Sequence, residues 1–480
     1  MTDAPLREAG KAVDDDPLRH GPAKRRRRWG DMTIGAFVAG DDLDVEQRDG
    51  GAQIRLLGLL MLIVTPLAFA YHAVMHSLFP GTFALPSFLF YPGWRFNDYF
   101  EPYLVARLYA PGPAGSTDTV YSPLMHLFMT ALTHAPDVAG LMLILAVFGA
   151  SLVALLWYGV TARVGPRRLR QGYVVIFCFL SYPVLMVVDR ANLEMLVFAL
   201  LVAFVWLHYW RGSRWAFLPL ALAIAAKYYA VVLIVVFVAE RRWRALALCL
   251  AAAFAVEAAA TVALSAISRF TIPEVIANTV HTLRSGNDTG TVNGVWFSHN
   301  LVGAYALVDR LTGYGLQSTY GSRLALDILQ VGIFAVVVLR VCLYDMPAWK
   351  RLAALVVCMT VLAPESRDYT LIHLLLPLAL VGRDGWHCPH RWLIAALFSV
   401  MLVPMAWIPY QTPLLPAHSL LNFSMIIYPA ALLALLAVLL STGVTAKAAG
   451  SPASGVGPAD DPVLATPFEA LAPPRREARP

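Results

Sequence analysis

Charged residues and cysteines are scarce in this sequence. Only 14% of the 480 residues are charged, and the five cysteines lie apart from one another, with no CxxC pair. A disulfide framework or a cysteine-based metal site is therefore not expected. The sequence also lacks the GxGxxG and P-loop motifs of nucleotide-binding sites and the HExxH motif of zinc hydrolases. Nothing in it indicates a nucleotide-binding domain.

Hydrophobic residues make up 58% of the chain and are concentrated in long runs. Runs of about 17 to 25 apolar residues can cross a hydrocarbon core of about 30 Å as helices. We therefore predict an all-α fold, a polytopic transmembrane helical bundle with about ten crossings plus re-entrant or juxtamembrane helices. The predicted crossings lie near residues 54–76, 139–161, 172–188, 191–210, 244–268, 323–344, 351–363, 370–382, 391–409 and 419–441.

The two ends of the sequence are polar and lack this apolar pattern. Residues 1–52 include the basic block 24–28, and residues 443–480 are rich in Pro, Ala and Gly. Both are predicted to be disordered tails. Much of the net charge of +6 lies beside apolar runs, and the positive-inside rule places these basic stretches, with both termini, in the cytoplasm. Between the tails, 53–442 is the predicted transmembrane domain, with a long outer loop at 77–138.

The apolar run Trp215–Ala239 does not fit a single crossing. It separates basic clusters at Arg214 and Arg241, which the positive-inside rule places on the same side of the membrane. We therefore predict two half-helices that enter and return, with the turn at Lys227. A lysine in the centre of a lipid-exposed span would cost about 2.5 to 3.5 kcal/mol, whereas broken helices can line a polar cavity. The alternative is that one of the two loops breaks the rule.

Other apolar segments are short or weak. Residues 121–133 and 301–312 are predicted to be juxtamembrane or re-entrant pieces, because full crossings there would violate the same topology. The spans at 351–363 and 370–382 are only about 18 to 20 Å long at 1.5 Å per residue. The loop 364–369 between them is therefore predicted to dip into the membrane from outside.

This topology brings the polar groups of the membrane region to the outer side. Ionisable groups at bilayer depth are candidates for function, and both cations and carboxylates are present. The candidates are Asp98 and Glu101, the run 189–194, Lys227, the run 297–300 and the run 365–369.

Most candidates also have a structural alternative. Asp98 can cap a helix, and Asn192 can cap the helix that follows it. Asp189 with Arg190, or Arg367 with Asp368, can form local ion pairs. Lys227 has no comparable structural explanation. Glu257 is expected to be a bundle-interior partner for a polar neighbour, and His126, His208 and His373 are expected to be packed or interfacial rather than metal ligands.

Six motifs occur in order along the chain. They are FNDYFEPY, VYSPL, DRANLEMLVFALL, AAKYYAVVLIVVFVAERRW, FSHNLVGAY and PESRDYTLIHLLLPLAL. The set resembles the integral-membrane glycosyltransferases of the GT-C class. More narrowly, it is similar to the polyprenol-phosphate-mannose-dependent mannosyltransferases of glycosyltransferase family 87. The resemblance extends over about residues 54–440.

The resemblance implies an inverting transfer of a hexose, mannose being the expected sugar, from a polyprenyl-phosphate donor to a glycolipid or glycan acceptor. It implies an active site on the extracytoplasmic face of a bacterial plasma membrane. Single displacement needs one base on the acceptor hydroxyl, and Asp98 matches the first-loop acid of the family. Glu101 and Asp118 are the alternative bases.

The leaving phosphate needs fixed positive charge. Lys227, Arg190 and Arg367 are the candidate cations on the outer side. Asn192, His299 and Asp368 are candidate contacts to the sugar or the phosphate. No DxD pair lies in the outer set, so a divalent ion is possible but not required, and no other cofactor is expected.

Two other functions fit parts of the pattern. A transporter or flippase for a lipid-linked or anionic solute would also use a broken helix with a central lysine. Against it, no inverted repeat is evident and the polar set lies towards one face. A membrane scaffold would leave Lys227 and the large outer loop without a role.

Overall fold

The computed structural model describes residues 45–78, 96–109, 121–268, 270–281, 299–315, 320–363, 366–386, 388, 390–405, 424–441 and 445–446. Most of them are helical. The first α-helices are α1 (Val45–Leu78), α2 (Asn97–Tyr109), α3 (Pro123–Leu132), α4 (Asp137–Leu155), α5 (Arg167–Leu180), α6 (Tyr182–Arg190), α7 (Glu194–Val205), α8 (Phe217–Ala226) and α9 (Val235–Ala239). The others are α10 (Trp243–Ile267), α11 (272–281), α12 (Leu301–Thr312), α13 (Tyr320–Leu343), α14 (Ala348–Val361), α15 (Leu375–Asp384), α16 (Arg391–Leu402) and α17 (Ser424–Ser441).

Shorter elements complete the chain. Five-residue π-helical turns extend α4 and α7, at Leu156–Val160 and Trp206–Trp210. Tight 3₁₀ helices at Arg214–Ala216, Tyr228–Ile234 and Asp368–Leu374 precede α8, α9 and α15. Two short strands, β1 (Tyr344–Asp345) and β2 (Thr445–Ala446), pair antiparallel. They are the only strands in the described residues, and the predicted all-α class is confirmed.

Four described helices are long and apolar enough to cross a membrane. They are Gly51–Leu78, Asp137–Val160, Trp243–Ile267 and Gly321–Leu343. Helices α5 and α6 together form a fifth candidate, bent by 52°. Of the shorter apolar helices, Glu194–Trp210, Arg391–Leu402 and Met425–Ser441 coincide with other predicted crossings. The fold is that of a membrane protein, while the number of crossings stays a prediction.

The segment 214–239 enters and returns, as the sequence predicts. At its start, the Ser213 N–H donates to Leu207 O at 2.8 Å. At its end, Glu240 lies 3.0 Å from His208 Nε2. Between them, Lys227 interrupts the helix with extended backbone (φ −144°, ψ 116°) and reaches Glu194. Glu194 and His208 are about 20 Å apart along the α7 axis, so the segment is a helical hairpin with Lys227 at its turn.

The hairpin is anchored at the His208 end of α7. The His208 ring accepts from Arg242 through Nδ1 at 3.1 Å and donates to Glu240 through Nε2. Arg351 of α14 donates to Glu240 at 2.9 Å. Burial alone would raise the pKa of Glu240, but His208, Arg351 and Arg242 outweigh it and hold this pKa below its ordinary value. The cluster ties α7, the hairpin and α14 together.

Two glycines permit close packing between α15 and the end of α4. A Cβ on Gly382 would lie 2.4 Å from the carbonyl oxygens of both Gly159 and Val160. A Cβ on Gly159 would lie 2.5 Å from Ala379 Cβ. Real Cβ atoms do not approach backbone atoms this closely, so only glycine fits here.

Some boundaries differ from the prediction. Helix α1 begins at Val45, inside the predicted tail 1–52, and continues directly into the first crossing. Within the predicted outer loop 77–138, residues Asn97–Tyr109 form helix α2, which the sequence analysis did not predict. Helices α3 and α12 have 10 and 12 residues, too short to cross, which agrees with their prediction as juxtamembrane pieces.

Candidate active site

Asp98 lies in the first turn of α2, where a backbone contact fixes the helix start. Phe96 adopts a left-handed conformation (φ 57°), and its N–H donates to Asp189 O at 2.7 Å. This joins the start of α2 to the end of α6. The Asp98 carboxylate consequently meets the Arg190 guanidinium at 3.4 Å. Its other oxygen accepts from Asn192 Nδ2 at 2.8 Å.

Asn192 lies in the tight turn between α6 and α7. The preceding Ala191 is left-handed (φ 48°), which ends α6. The Asn192 Oδ1 accepts the N–H of Glu194 at 2.9 Å and lies 3.5 Å from Lys227 Nζ. The Asn192 side chain therefore holds the first N–H of α7, and its amide group also lies between Asp98 and Lys227.

Lys227 and Glu194 form an ion pair in which the carboxylate is buried and the ammonium is partly exposed. The Lys227 Nζ donates to Glu194 Oε2 at 2.7 Å. The other carboxylate oxygen accepts from His373 Nε2 at 2.5 Å and from the Tyr229 hydroxyl. Glu194 thus connects α7 with the hairpin turn and with the 3₁₀ helix before α15.

Three tyrosine rings surround the Lys227 ammonium. The rings of Tyr121, Tyr229 and Tyr369 have their centroids 5.9, 5.9 and 5.6 Å from Nζ. Aromatic faces attract cations at such distances. Burial, and next Asp98, raise the pKa of Tyr121 well above its ordinary value. Its hydroxyl therefore stays protonated at neutral pH and can donate a hydrogen bond.

His299 and Asp368 lie in a second network that is fully buried. Asp368 accepts from the Tyr182 hydroxyl at 2.7 Å and lies 3.4 Å from His299 Nδ1. The other ring nitrogen of His299 lies 2.8 Å from Ser366 Oγ and 3.0 Å from Thr370 Oγ1. These contacts fix the segment that carries Arg367 and Tyr369. The predicted contact of His299 and Asp368 with substrate stays a prediction, since neither side chain is exposed here.

Exposure separates the side chains that a ligand can reach from those beneath them. The Asp98, Arg190 and Lys227 side chains retain 12%, 13% and 16% exposure, whereas the Glu194 side chain retains none. A carboxylate and two cations are therefore accessible at the Glu194 end of α7. Arg367 is half-buried, and its charge acts on Tyr121 in the same region.

The alternative bases differ in their surroundings. Glu101 lies on the exposed side of α2, where it accepts from Asn97 Nδ2 at 3.1 Å. Asp118 lies outside the described residues. Of the two carboxylates that the structure describes, Asp98 contacts a cation of the site, Arg190.

The sequence predicted roles for four of these neighbours, Asp98, Arg190, Asn192 and Lys227. Glu194 belonged to the candidate run 189–194 without a role of its own, and His373 was expected to be packed or interfacial. His373 is fully buried, yet its ring binds Glu194. A carboxylate opening an otherwise apolar helix, in DRANLEMLVFALL, was the available signal for Glu194. Glu257 meets its expected polar partner, the Tyr228 hydroxyl.

A metal centre is not evident in the described part of the chain. No three His, Cys, Asp or Glu side chains there converge as metal ligands would. The metal requirement of the chemistry stays a prediction.

One of three comparisons with known proteins identifies the family of the chain. Neither the curated proteins nor the solved structures searched contain a match to the chain. The family model described as Glycosyltransferase family 87 matches residues 119–364, about half of the chain. This range includes Arg190, Asn192, Glu194 and Lys227, although Asp98 precedes it. The chain belongs to glycosyltransferase family 87 and is a membrane glycosyltransferase.

Proposed function

We propose that this enzyme transfers a hexose, mannose in the first instance, from a polyprenyl-phosphate donor to a glycolipid or glycan acceptor, with inversion at the anomeric carbon. The observation that carries the proposal is the accessible group of one carboxylate and two cations, Asp98 with Arg190 and Lys227. Family membership supplies the reaction class, and the sequence motifs supply the donor class.

Asp98 is the proposed general base. Inversion by single displacement needs one base for the acceptor hydroxyl and no enzyme nucleophile. Arg190 and Asn192 each hold one oxygen of Asp98, which fixes the carboxylate plane while leaving part of it exposed. An acceptor hydroxyl in hydrogen-bond reach of Asp98 would lose its proton as the new glycosidic bond forms.

Lys227 and Arg190 are the proposed phosphate contacts. Negative charge develops on the phosphate oxygen as its bond to the sugar breaks, and fixed cations stabilise that charge most in a dry site. Arg367 is a third proposed contact, because it belongs to the same region. Asn192 positions Asp98 and Lys227 relative to each other through its amide.

The site is proposed to face the extracytoplasmic side. Lys227 lies at the Glu194 end of α7, whereas the basic residues Arg211, Arg242 and Arg351 lie at the His208 end. The positive-inside rule favours a cytoplasmic position for the basic end. In a variant without the five native cysteines, we expect a membrane-impermeant maleimide added outside intact cells to label Glu101→Cys and not Arg211→Cys. The reverse pattern would place the site in the cytoplasm.

The transfer reaction is tested with purified enzyme and radiolabelled donor. Polyprenyl-phosphate-mannose and a nucleotide-diphosphate mannose are compared, with extracted membrane lipids as acceptors. We expect label in lipid products from the polyprenyl donor alone. Asp98→Asn should abolish the transfer, while Glu101→Gln should retain it, because Glu101 is an exposed carboxylate on the same helix.

Each outcome addresses one part of the proposal. Transfer from the nucleotide donor alone would refute the donor class. Full transfer by Asp98→Asn would remove Asp98 as the base. Retained anomeric configuration in the product would refute single displacement.

A further inference from the structure

The Glu194 carboxylate accepts more hydrogen bonds than a residue that only begins a helix would need. Lys227, His373 and Tyr229 all direct a donor at it, and its side chain is fully buried. Its own backbone N–H is already satisfied by Asn192. The carboxylate therefore serves the hairpin turn and the 3₁₀ helix rather than its own helix.

The charge of Glu194 matters as well as its hydrogen bonds. An amide could accept from Tyr229 and His373, but it would remove the negative charge that lies 2.7 Å from the Lys227 ammonium. Without that charge the ammonium is held less firmly, so the side chain would shift towards solvent or towards its other neighbours. The ion pair at 2.7 Å keeps Nζ among the three tyrosine rings.

We propose that Glu194 is a positioning residue that acts through Lys227, holding its ammonium where the leaving phosphate gains negative charge. Glu194 itself does not contact substrate. The inference rests on the proposed role of Lys227 at the phosphate and adds the residue that fixes its position.

This role predicts a specific division between kinetic constants. Glu194→Gln leaves the Lys227 cation at the turn, so the donor still binds and the donor KM stays within about threefold of the parent. Because the ammonium is displaced, it stabilises the phosphate less in the transition state. A hydrogen bond to a charged group is worth about 10- to 150-fold, so kcat should fall by about that factor. Lys227→Met should both raise the donor KM and lower kcat.

The double variant is the decisive measurement. If Glu194 acts only through Lys227, then Glu194→Gln combined with Lys227→Met is no slower than Lys227→Met alone. A further loss of about tenfold in the double variant would show that Glu194 acts independently and would overturn the inference. Glu194→Asp, which keeps the charge but shortens the side chain, replaces Glu194→Gln in the cycle if the latter does not fold.

Glu257→Gln is the matched control. Glu257 also accepts from a hairpin tyrosine, Tyr228, the residue next to Lys227. The kcat of Glu257→Gln should stay within about twofold of the parent. That result would show that losing a carboxylate contact to the hairpin does not by itself lower kcat.

Failure of the inference is distinguishable from failure of the proposed function. Parental activity in Lys227→Met refutes the phosphate role of Lys227. Activity lost in Lys227→Met but kept in Glu194→Gln refutes the positioning role alone.

Discussion

The Asn192 amide is the best single place to test the geometry of the cluster. Its Nδ2 donates to Asp98 at 2.8 Å, and its Oδ1 accepts from the first N–H of α7. A hydrogen bond to a charged group is worth about 1.5 to 3 kcal/mol, which corresponds to about 10- to 150-fold in rate. We therefore expect Asn192→Ala to lower kcat/KM by about 10- to 150-fold.

Asn192→Asp should be slower still. A second carboxylate would then face Asp98 in place of a hydrogen-bond donor, and the repulsion between the two groups would push them apart. Asp98 would then no longer be held as the structure arranges it. Initial rates at saturating acceptor, with the polyprenyl donor varied, give the comparison.

Two further variants separate catalysis from folding. Asn192→Ser keeps a cap for the start of α7, because serine oxygens accept backbone N–H groups, but its side chain is too short to bridge to Asp98. It should be as stable as the parent and nearly as slow as Asn192→Ala. Asn97→Ala removes a similar amide–carboxylate bond, to Glu101, on the exposed side of α2. A parental kcat/KM in Asn192→Ala, or an equal loss in Asn97→Ala, would refute the reasoning.

The other predictions concern stability, measured by thermal unfolding in detergent. Gly382→Ala should lower the free energy of unfolding by about 1 to 3 kcal/mol, because its Cβ would meet two carbonyl oxygens at 2.4 Å. Gly149→Ala should leave the free energy of unfolding unchanged, because no atom lies within 4 Å of the added Cβ. The pKa of Glu240 is lowered in the folded protein from its ordinary value of 4.5. Its contribution to the free energy of unfolding is therefore present above that pH and is lost as the pH falls below it. The parent should therefore lose more stability than Glu240→Gln between pH 7 and pH 4, and equal losses would contradict this.

The turn at Lys227 shows how far sequence patterns reach. The positive-inside rule places the Arg214 and Arg241 clusters on the same side of the membrane, which predicted a hairpin with the lysine at its turn. The structure confirms the hairpin. The hairpin could be predicted because the argument used only charge and hydrophobic length, which are properties of local sequence. The same argument predicted that α3 and α12 would not cross.

The partners of Lys227 could not be predicted in this way. Glu194 and His373 lie on helices far apart in sequence, and both sit within apolar stretches where burial is the ordinary expectation. Their contact depends on how α7 and the 3₁₀ helix pack together, which one sequence does not specify. The buried network of His299 and Asp368 depends on packing in the same way.

The sequence by itself determined the membrane class, the hairpin and the candidates Asp98, Arg190, Asn192 and Lys227, because each follows from local hydrophobicity, charge or motif. Only the tertiary structure decided which of these side chains meet. It placed Asp98 beside Arg190 and Asn192, left Glu101 exposed, and put Glu194 beneath Lys227. The physical reason is that a buried charge needs a partner, and only the packing of helices distant in sequence determines which partner is within reach.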